Sequence, residues 1–524
     1  MRLPATDKNE NKFQWISALT LSCLTVSLLF AWQGNVGFNL WDEGYLWYGV
    51  QRTLNSEVPI RDFMAYDPGR YYWSAALAVV LGGSSIMHVR IAVAVFQTLG
   101  LLTGLLLIAQ SSKSRGASGV LFLAIVALTL AIWMFPRHKL FDMSLSLLLV
   151  GALALLVRRP TPWRYFAVGV AVGLVAVFGR NHGVYGTVGS FGVMLWLCVG
   201  PGTATGFVRG ALLWGAGVVI GFLPIILMLL FVPGFGTAFW ESVRFLFQQN
   251  ATNLPLPIPW PWTVDFAASS LSDAIRALLV GLTFVAVLAF GWLGAIWALA
   301  QRFKRRRLPP VFISAVFLAI PYAHYAFSRA DIGHLAQGIF PMLVGFFVIV
   351  STLDGKVKWV LSAALCATSL WIMSVQHPGW QCMVSGQCVD ITVSGSVLKV
   401  DPATANDVAL LRHLSDQYAA DGRSFVATPF WPGAYALLNR RSPTWEIYAL
   451  FPRQEDFERH EIERINASSP GFILVLNLPL DGRDELRFQN THPLTYKFIL
   501  DNFERIPFPS PPGYEIYKSK SVSP

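Results

Sequence analysis

The sequence runs through a succession of apolar stretches, each about 17–25 residues long, and no other feature restricts its folding as strongly. A helix of that length matches the hydrocarbon core of a bilayer, where every backbone hydrogen bond has to close inside the segment. The stretches fall at roughly 14–33, 86–110, 117–135, 139–157, 164–179, 184–200, 208–232, 275–300, 310–327, 335–353 and 358–376, which predicts about eleven spans. Composition agrees: 54% of the 524 residues are hydrophobic and 13% charged, about half the charged share of a soluble domain. A soluble chain of this kind has too little polar surface to stay dissolved. That excludes an ordinary cytosolic enzyme, an intrinsically disordered chain and a nucleic-acid-binding module. It leaves a polytopic α-helical membrane protein.

The basic residues test the count. The net charge is +10. Lys8 and Lys12 precede the first stretch and no small-residue cleavage site follows it, so it reads as a signal anchor with a cytosolic N-terminus. Alternate loops then carry Lys113 and Arg115; Arg158, Arg159 and Arg164; Arg209; Arg302, Lys304, Arg305, Arg306 and Arg307; and Lys356 and Lys358. Nearly every basic cluster falls on one side, which is the positive-inside pattern of an inner or plasma membrane protein. The same alternation puts 34–85, 234–274, 328–334 and 377–524 on the outer face.

Beyond residue 376 the character changes, with more charge, shorter apolar runs, and more Pro and Asn. Val408, Leu411, Leu414 and Tyr418 repeat near helical spacing over 403–420, and 453–467 is charged enough for a solvated helix. Phe425-Val426-Ala427 and Phe472-Ile473-Leu474-Val475-Leu476 read as short buried strands. Strands alternating with helices predict a small extracytoplasmic α/β domain over 377–524, after a transmembrane domain over 1–376. Of five cysteines, Cys23, Cys198 and Cys366 lie in apolar runs. Cys382 and Cys388 share a polar stretch and form the candidate disulfide, the other reading being two free thiols in a linker. No internal repeat or low-complexity tract is present.

The outer loop after the first span carries Trp41-Asp42-Glu43-Gly44-Tyr45-Leu46-Trp47-Tyr48, then Arg61-Asp62-Phe63 and Asp67-Pro68-Gly69-Arg70-Tyr71-Tyr72-Trp73. Asp42 suits the cap of a helix to about Leu54, with Glu43 in its first turn and Pro59 beyond its end. Its Trp and Tyr content suits the membrane interface, and 70–82 reads as a second interfacial helix. An acidic pair just after the first span, two interfacial helices, about eleven spans and an extracytoplasmic C-terminal domain resemble the GT-C glycosyltransferases. Within them the likeness is to protein O-mannosyltransferases and bacterial lipid A aminoarabinose transferases, best over roughly 14–180. The resemblance implies a polyprenyl-phosphate sugar donor, and an acidic residue of the first outer loop as catalytic base or acceptor contact. Carried over, that residue is Asp42, with Glu43 beside it; the bland reading of Asp42 is a helix cap. The family's second acidic residue, at the outer end of a comparable span, matches Asp142, which reads equally well as an ion-pair partner of Arg137.

Cations on the outer side run against the positive-inside bias and call for a reason. Phe135-Pro136-Arg137-His138-Lys139-Leu140-Phe141-Asp142, Gly179-Arg180-Asn181-His182-Gly183 and Ser328-Arg329-Ala330-Asp331-Ile332-Gly333-His334 all occupy outer turns. A phosphate leaving group needs fixed positive charge and donors. Arg137, Lys139, Arg180, His182, Arg329 and His334 are the candidate substrate contacts, against a role as interfacial anchors. Arg329 and His334 lead, because one short turn joins them to Asp331. The long outer loop 233–274 interleaves Pro255, Pro257, Pro259 and Pro261 with Trp260 and Trp262, suited to covering a cleft, contacting the acceptor or lying in the interface. Asn250-Ala251-Thr252 and Asn466-Ala467-Ser468 fit the N-glycosylation pattern.

The expected reaction is transfer of one sugar from a polyprenyl phosphate to an extracytoplasmic hydroxyl on a lipid, glycan or protein. Direct displacement would invert the anomeric centre. No Gly-rich phosphate loop and no tight His/Cys metal cluster occurs in the sequence, and the outward site speaks against a nucleotide sugar. Relatives differ in metal use, so a divalent cation held by Asp42, Glu43 and Asp142 stays open. The rival class is a transporter or flippase for a lipid-linked or anionic substrate. It would also place charges at membrane depth, and it would usually show paired halves or matched broken helices, neither of which the sequence displays.

Overall fold

The computed structural model describes residues 8–199, 205–249, 253–508 and 510–520; the Asn250-Ala251-Thr252 triplet lies outside them. The chain divides into two compact units. One comprises Met1–Gly34, Val93–Pro233 and Asn250–Gln381; the other comprises Asn35–Ala92, Gly234–Gln249 and Cys382–Pro524.

The first unit is a bundle of apolar helices. Every expected stretch is helical: Lys8–Gln33, Ile86–Ala109, Gly116–Trp133, Leu140–Arg158, Pro162–Phe178, Arg180–Cys198, Phe207–Phe231 in two pieces, Leu271–Phe303, Pro310–Ser328, Ile332–Thr352 in two pieces, and Gly355–Met373. Among the described residues seven helices are long and apolar enough to cross a membrane, and nine if each bent pair is one span. That is fewer than the eleven spans expected from the apolar stretches. Pro162–Phe178 is a shorter apolar helix, and Arg180–Cys198 opens on Arg180, Asn181 and His182, which dilute its hydropathy. Each bent pair turns by 55°. Pro224 and Pro341 cause the bends, because each lacks an N–H and its ring meets the carbonyl four residues earlier.

Apolar side chains gain nothing from leaving lipid tails for one another, so close packing has to hold such helices together. Gly169 and Gly173 meet Gly217 and Gly221 at the tightest crossing. A Cβ on Gly169 would stand 2.0 Å from the Trp214 carbonyl oxygen, and one on Gly217 would stand 2.1 Å from that of Phe166. Only glycine permits that backbone contact.

The second unit joins the acidic loop to the C-terminal region. Two antiparallel strands, β1 (Val389–Val393) and β2 (Ser396–Val400), form a hairpin. Its turn takes positive φ at Ser394 and Gly395, as a tight hairpin demands. Four further strands, β3 (Val426–Thr428), β4 (Phe472–Leu476), β5 (Phe503–Arg505) and β6 (Tyr514–Ser519), make a sheet in the order β3-β4-β6-β5, parallel only between β3 and β4. The all-apolar run of β4 is buried at every position, as a strand covered on both faces requires. Helix Pro402–Tyr418 stands where periodicity placed it, and Glu455–Ser468 where its charge did. The second is less solvated than its charge suggested, since Glu458 and Glu461 are buried. The expected interfacial helices are Asp42–Leu54 and Pro68–Leu81. Part of the long outer loop is itself a helix, Phe235–Gln249, with Trp240 and Phe247 exposed.

Cys382 and Cys388 are bonded, with Cα atoms 5.3 Å apart. Closing so short a loop removes conformations mainly from the unfolded chain. Replacing both cysteines with serine should therefore cost about 2 kcal/mol. Thiol labelling of the unfolded protein, with and without prior reduction, checks the bond, and full labelling without reductant would contradict it.

Candidate active site

Asp42 opens the helix Asp42–Leu54. Its carboxylate does not cap that helix. Asn39 does so instead, its Oδ1 accepting from the Asp42 N–H at 2.7 Å. The Asp42 side chain is half-buried and receives the Tyr448 hydroxyl at Oδ1, 3.0 Å away. Tyrosine rings surround the place. Tyr45 packs on Tyr66 at 4.7 Å and on Tyr448 at 5.5 Å between centroids. The buried Arg70 guanidinium lies 5.1 Å from the Tyr66 centroid. Burial, then Tyr71 and Tyr66, raise the Tyr45 phenol well above its ordinary range, so it stays neutral.

Glu43 serves a different end. It is 7% exposed and faces Arg90, which is 2% exposed. Arg90 Nε donates to Oε1 at 2.8 Å and Nη2 to Oε2 at 2.7 Å, a two-pronged pair. Glu43, expected beside Asp42 as a catalytic carboxylate or metal ligand, has each of its two oxygens on this buried guanidinium. Arg90 Nη2 also donates to the Gly37 carbonyl at 2.7 Å.

Tyr448 reaches Asp42 because the segment carrying it is held on several sides. The Ser442 N–H donates to the Tyr48 hydroxyl at 3.0 Å, and the Trp445 indole donates to the Ile60 carbonyl at 3.0 Å. Gly44 and Gly433 touch backbone to backbone, and a Cβ on Gly44 would come within 2.5 Å of the Gly433 Cα. Beneath them the buried Glu446 accepts from Arg453 Nε at 2.6 Å and lies 3.0 Å from His492 Nε2. Burial alone would raise the Glu446 carboxyl; Arg453 and His492 bring it below the ordinary range. Glu461 accepts from the Glu446 N–H at 3.0 Å, and burial pushes its carboxyl up to about 7.

The cationic candidates lie in the bundle unit. Arg329 Nε donates to Asp331 Oδ2 at 2.9 Å and Nη1 to the Leu254 carbonyl at 3.1 Å. His334 Nδ1 lies 2.9 Å from Asp331 Oδ1, and the His334 N–H donates to the same oxygen, so Asp331 caps the helix Ile332–Gly338. One carboxylate thus fixes both cations, as their shared turn suggested. Burial would raise Asp331; His334 and Arg329 together lower it. Arg137 Nη2 donates to the Gln33 carbonyl at 2.8 Å. Lys139 and Arg180 sit partly buried at the starts of their helices.

Asp142 and His182 form a closed group. Asp142 Oδ1 lies 2.6 Å from His182 Nε2, and His182 Nδ1 lies 2.6 Å from the Tyr322 hydroxyl. All three side chains are 0% exposed. Asp142, expected as a catalytic acid, and His182, expected as a substrate contact, are thus brought together and paired with each other. Their pairing answers the cost of polar groups at membrane depth and ties three helices together. Among the described residues no three His, Cys, Asp or Glu side chains gather as a metal site.

Sequence reasoning missed Arg90, Tyr322 and Tyr448. Arg90 carried a signal, since a lone cation inside an apolar stretch calls for a partner. Tyr448 carried none.

These elements define a multi-pass membrane protein: an apolar helical bundle, an acidic helix after the first span and a small C-terminal sheet, in a fold like that of ArnT. The particular likeness is to ArnT from Cupriavidus metallidurans bound to undecaprenyl phosphate, at 11% identity and a TM-score of 0.54 over 97% of this chain and 98% of that one. ArnT from the same organism in the apo state matches at 13% and 0.53, over 96% and 97%. The Archaeoglobus fulgidus oligosaccharyltransferase in the apo form matches at 11% and 0.47, over 99% and 76%, too loosely for anything to rest on it. No protein-family model matches the chain, and no curated protein matches it by sequence.

Glu43→Gln should leave Arg90 charged and unmatched in a buried place and cost about 3–5 kcal/mol. Thermal unfolding of the purified protein in detergent checks this, and an unchanged melting temperature would contradict it. Glu461 gives a pH-dependent outcome. Its folded-state carboxyl holds a proton more tightly than the ordinary 4.5, so stability falls as pH rises from about 4.5 through 7. Glu461→Gln should remove up to about 3 kcal/mol of that fall. Parallel stability curves for the two proteins across this range would contradict the assignment.

Proposed function

We propose that the protein transfers a sugar from a polyprenyl-phosphate donor to a hydroxyl acceptor on the outer side of the membrane. The observation that carries this reading is the ArnT fold over nearly the whole of both chains, one ArnT structure holding undecaprenyl phosphate. The half-buried Asp42 at the head of the first outer helix supports it. In the reaction the acceptor oxygen bonds to the anomeric carbon while the bond from that carbon to the phosphate oxygen breaks. Asp42 takes the acceptor's proton. Tyr448, donating to Asp42 Oδ1, holds the carboxylate in one orientation. The phosphate leaves with the electron pair and needs no proton, since fixed cations stabilise it. Arg329 and His334 take that role first, with Arg137, Lys139 and Arg180 as the alternative set. Attack opposite the phosphate inverts the anomeric centre, whether the sugar is a hexose or a pentose.

The basic loops support a cytosolic N-terminus and an outward 377–524 region in an inner or plasma membrane, with 1–376 as the transferase domain. Glu43 and the Asp142–His182 pair act as supports for the fold. Nothing observed favours the transporter.

Asp42→Asn keeps the shape and removes the base. Sugar transfer from a labelled lipid-phosphate donor, followed in isolated membranes, should drop on the order of a hundredfold or more at normal protein levels. Near-normal transfer would remove Asp42 from the reaction. Arg329→Ala and His334→Ala should weaken use of the donor while sparing expression. If both match wild type, the leaving-group site lies around Arg137 or Arg180.

A further inference from the structure

The bundle unit holds a cavity of about 220 Å³ at the end of its helices where the basic loops lie. Phe13 and Ser17 of the first helix form one wall, and Ser112, Ser114, Arg115 and Leu123 form the other. The lining combines hydroxyl and guanidinium groups with aromatic and aliphatic side chains. No acidic residue lines it.

Positive charge collects beside the polar groups. Arg115 Nη1 donates to the Ser114 carbonyl at 3.1 Å and also to the Ser112 carbonyl. Lys358, 3% exposed, donates through Nζ to the Ser114 hydroxyl and lies 3.9 Å from the Phe122 ring centroid. Lys113 sits between the two serines in sequence, paired to an exposed Asp354 at 3.2 Å. Three cations and one carboxylate thus border the 112–115 turn. The helix Gly116–Trp133 begins there with no side-chain cap, which adds its positive end.

We propose that this cavity binds an anionic phospholipid from the membrane leaflet facing the basic loops. The phosphate headgroup sits against Arg115, Ser112 and Ser114, and the start of an acyl chain lies along Phe13 and Leu123. Charge complementarity selects an anionic head over a zwitterionic one, and the apolar side chains select a lipid over a free anion. The first helix is largely exposed along its length, so a lipid seated against Phe13 and Ser17 would fasten its end to the bundle. The proposal is independent of the sugar-transfer reading, because its test reads lipid and not product.

The test uses the full chain in detergent with equal phosphatidylglycerol and phosphatidylcholine, followed by gel filtration and mass spectrometry of the lipid that remains bound. Wild type should keep phosphatidylglycerol selectively. Arg115→Gln should weaken that retention about fivefold, the worth of one cation beside an anionic leaflet. Ser17→Trp fills the cavity without changing charge and should abolish retention, while Arg306→Gln in another basic loop should keep it. Melting temperatures without added lipid establish that each variant is folded. Equal retention of the two lipids, displacement by millimolar inorganic phosphate, or wild-type retention in both cavity variants would overturn the proposal. So would a dimer formed through this face in place of bound lipid.

Discussion

Two charges buried almost completely beside one another, Glu43 and Arg90, set the conditions for the rest of the unit that carries the acidic helix. Each would be costly alone in a place with so little water, and their two-pronged geometry makes the pair tolerable. Arg90 belongs to the first turns of a long apolar helix, so its partner fixes the acidic helix at the base of that span. The rest of the acidic helix then packs at close range. Gly44 admits the Gly433 backbone, Gly49 admits the Tyr71 ring, and Tyr48 accepts from Ser442. Adjacent acids thereby come to differ. Glu43 is a structural anion, while Asp42 keeps partial exposure with a phenol at one oxygen. The chemistry assigned to Asp42 depends on Glu43 having been taken out of play.

The helices were legible because bilayer thickness imposes its length on the sequence, and each of the expected stretches is a helix. The bends at Phe222 and Ile339 were also written there, in Pro224 and Pro341, although the apolar runs pass straight through them. Strands β3 and β4 followed from short apolar runs, and the two longer C-terminal helices from periodicity in one and charge in the other. The hairpin of β1 and β2 did not, because its strands are short and half-exposed.

The site was legible by residue type and only partly by role. The loop carrying Asp42 and the turn joining Arg329, Asp331 and His334 are local features, and locality is what a sequence displays. Pairings across the chain are not. Arg90 lies 47 residues from Glu43, Tyr322 lies 140 from His182, and Tyr448 lies 406 from Asp42. The pairing of Asp142 with His182 is another such long-range contact, 40 residues apart in sequence.

The central claim is that a bond between sugar and lipid phosphate breaks as a bond to the acceptor forms. The most direct measurement reconstitutes the full chain in sealed vesicles with a polyprenyl-phosphate sugar and an acceptor. It follows free polyprenyl phosphate and glycosylated acceptor together. The account predicts that the two appear one for one and only when acceptor is present. Movement of the intact lipid-linked sugar to the other leaflet, with no free polyprenyl phosphate formed, would contradict it.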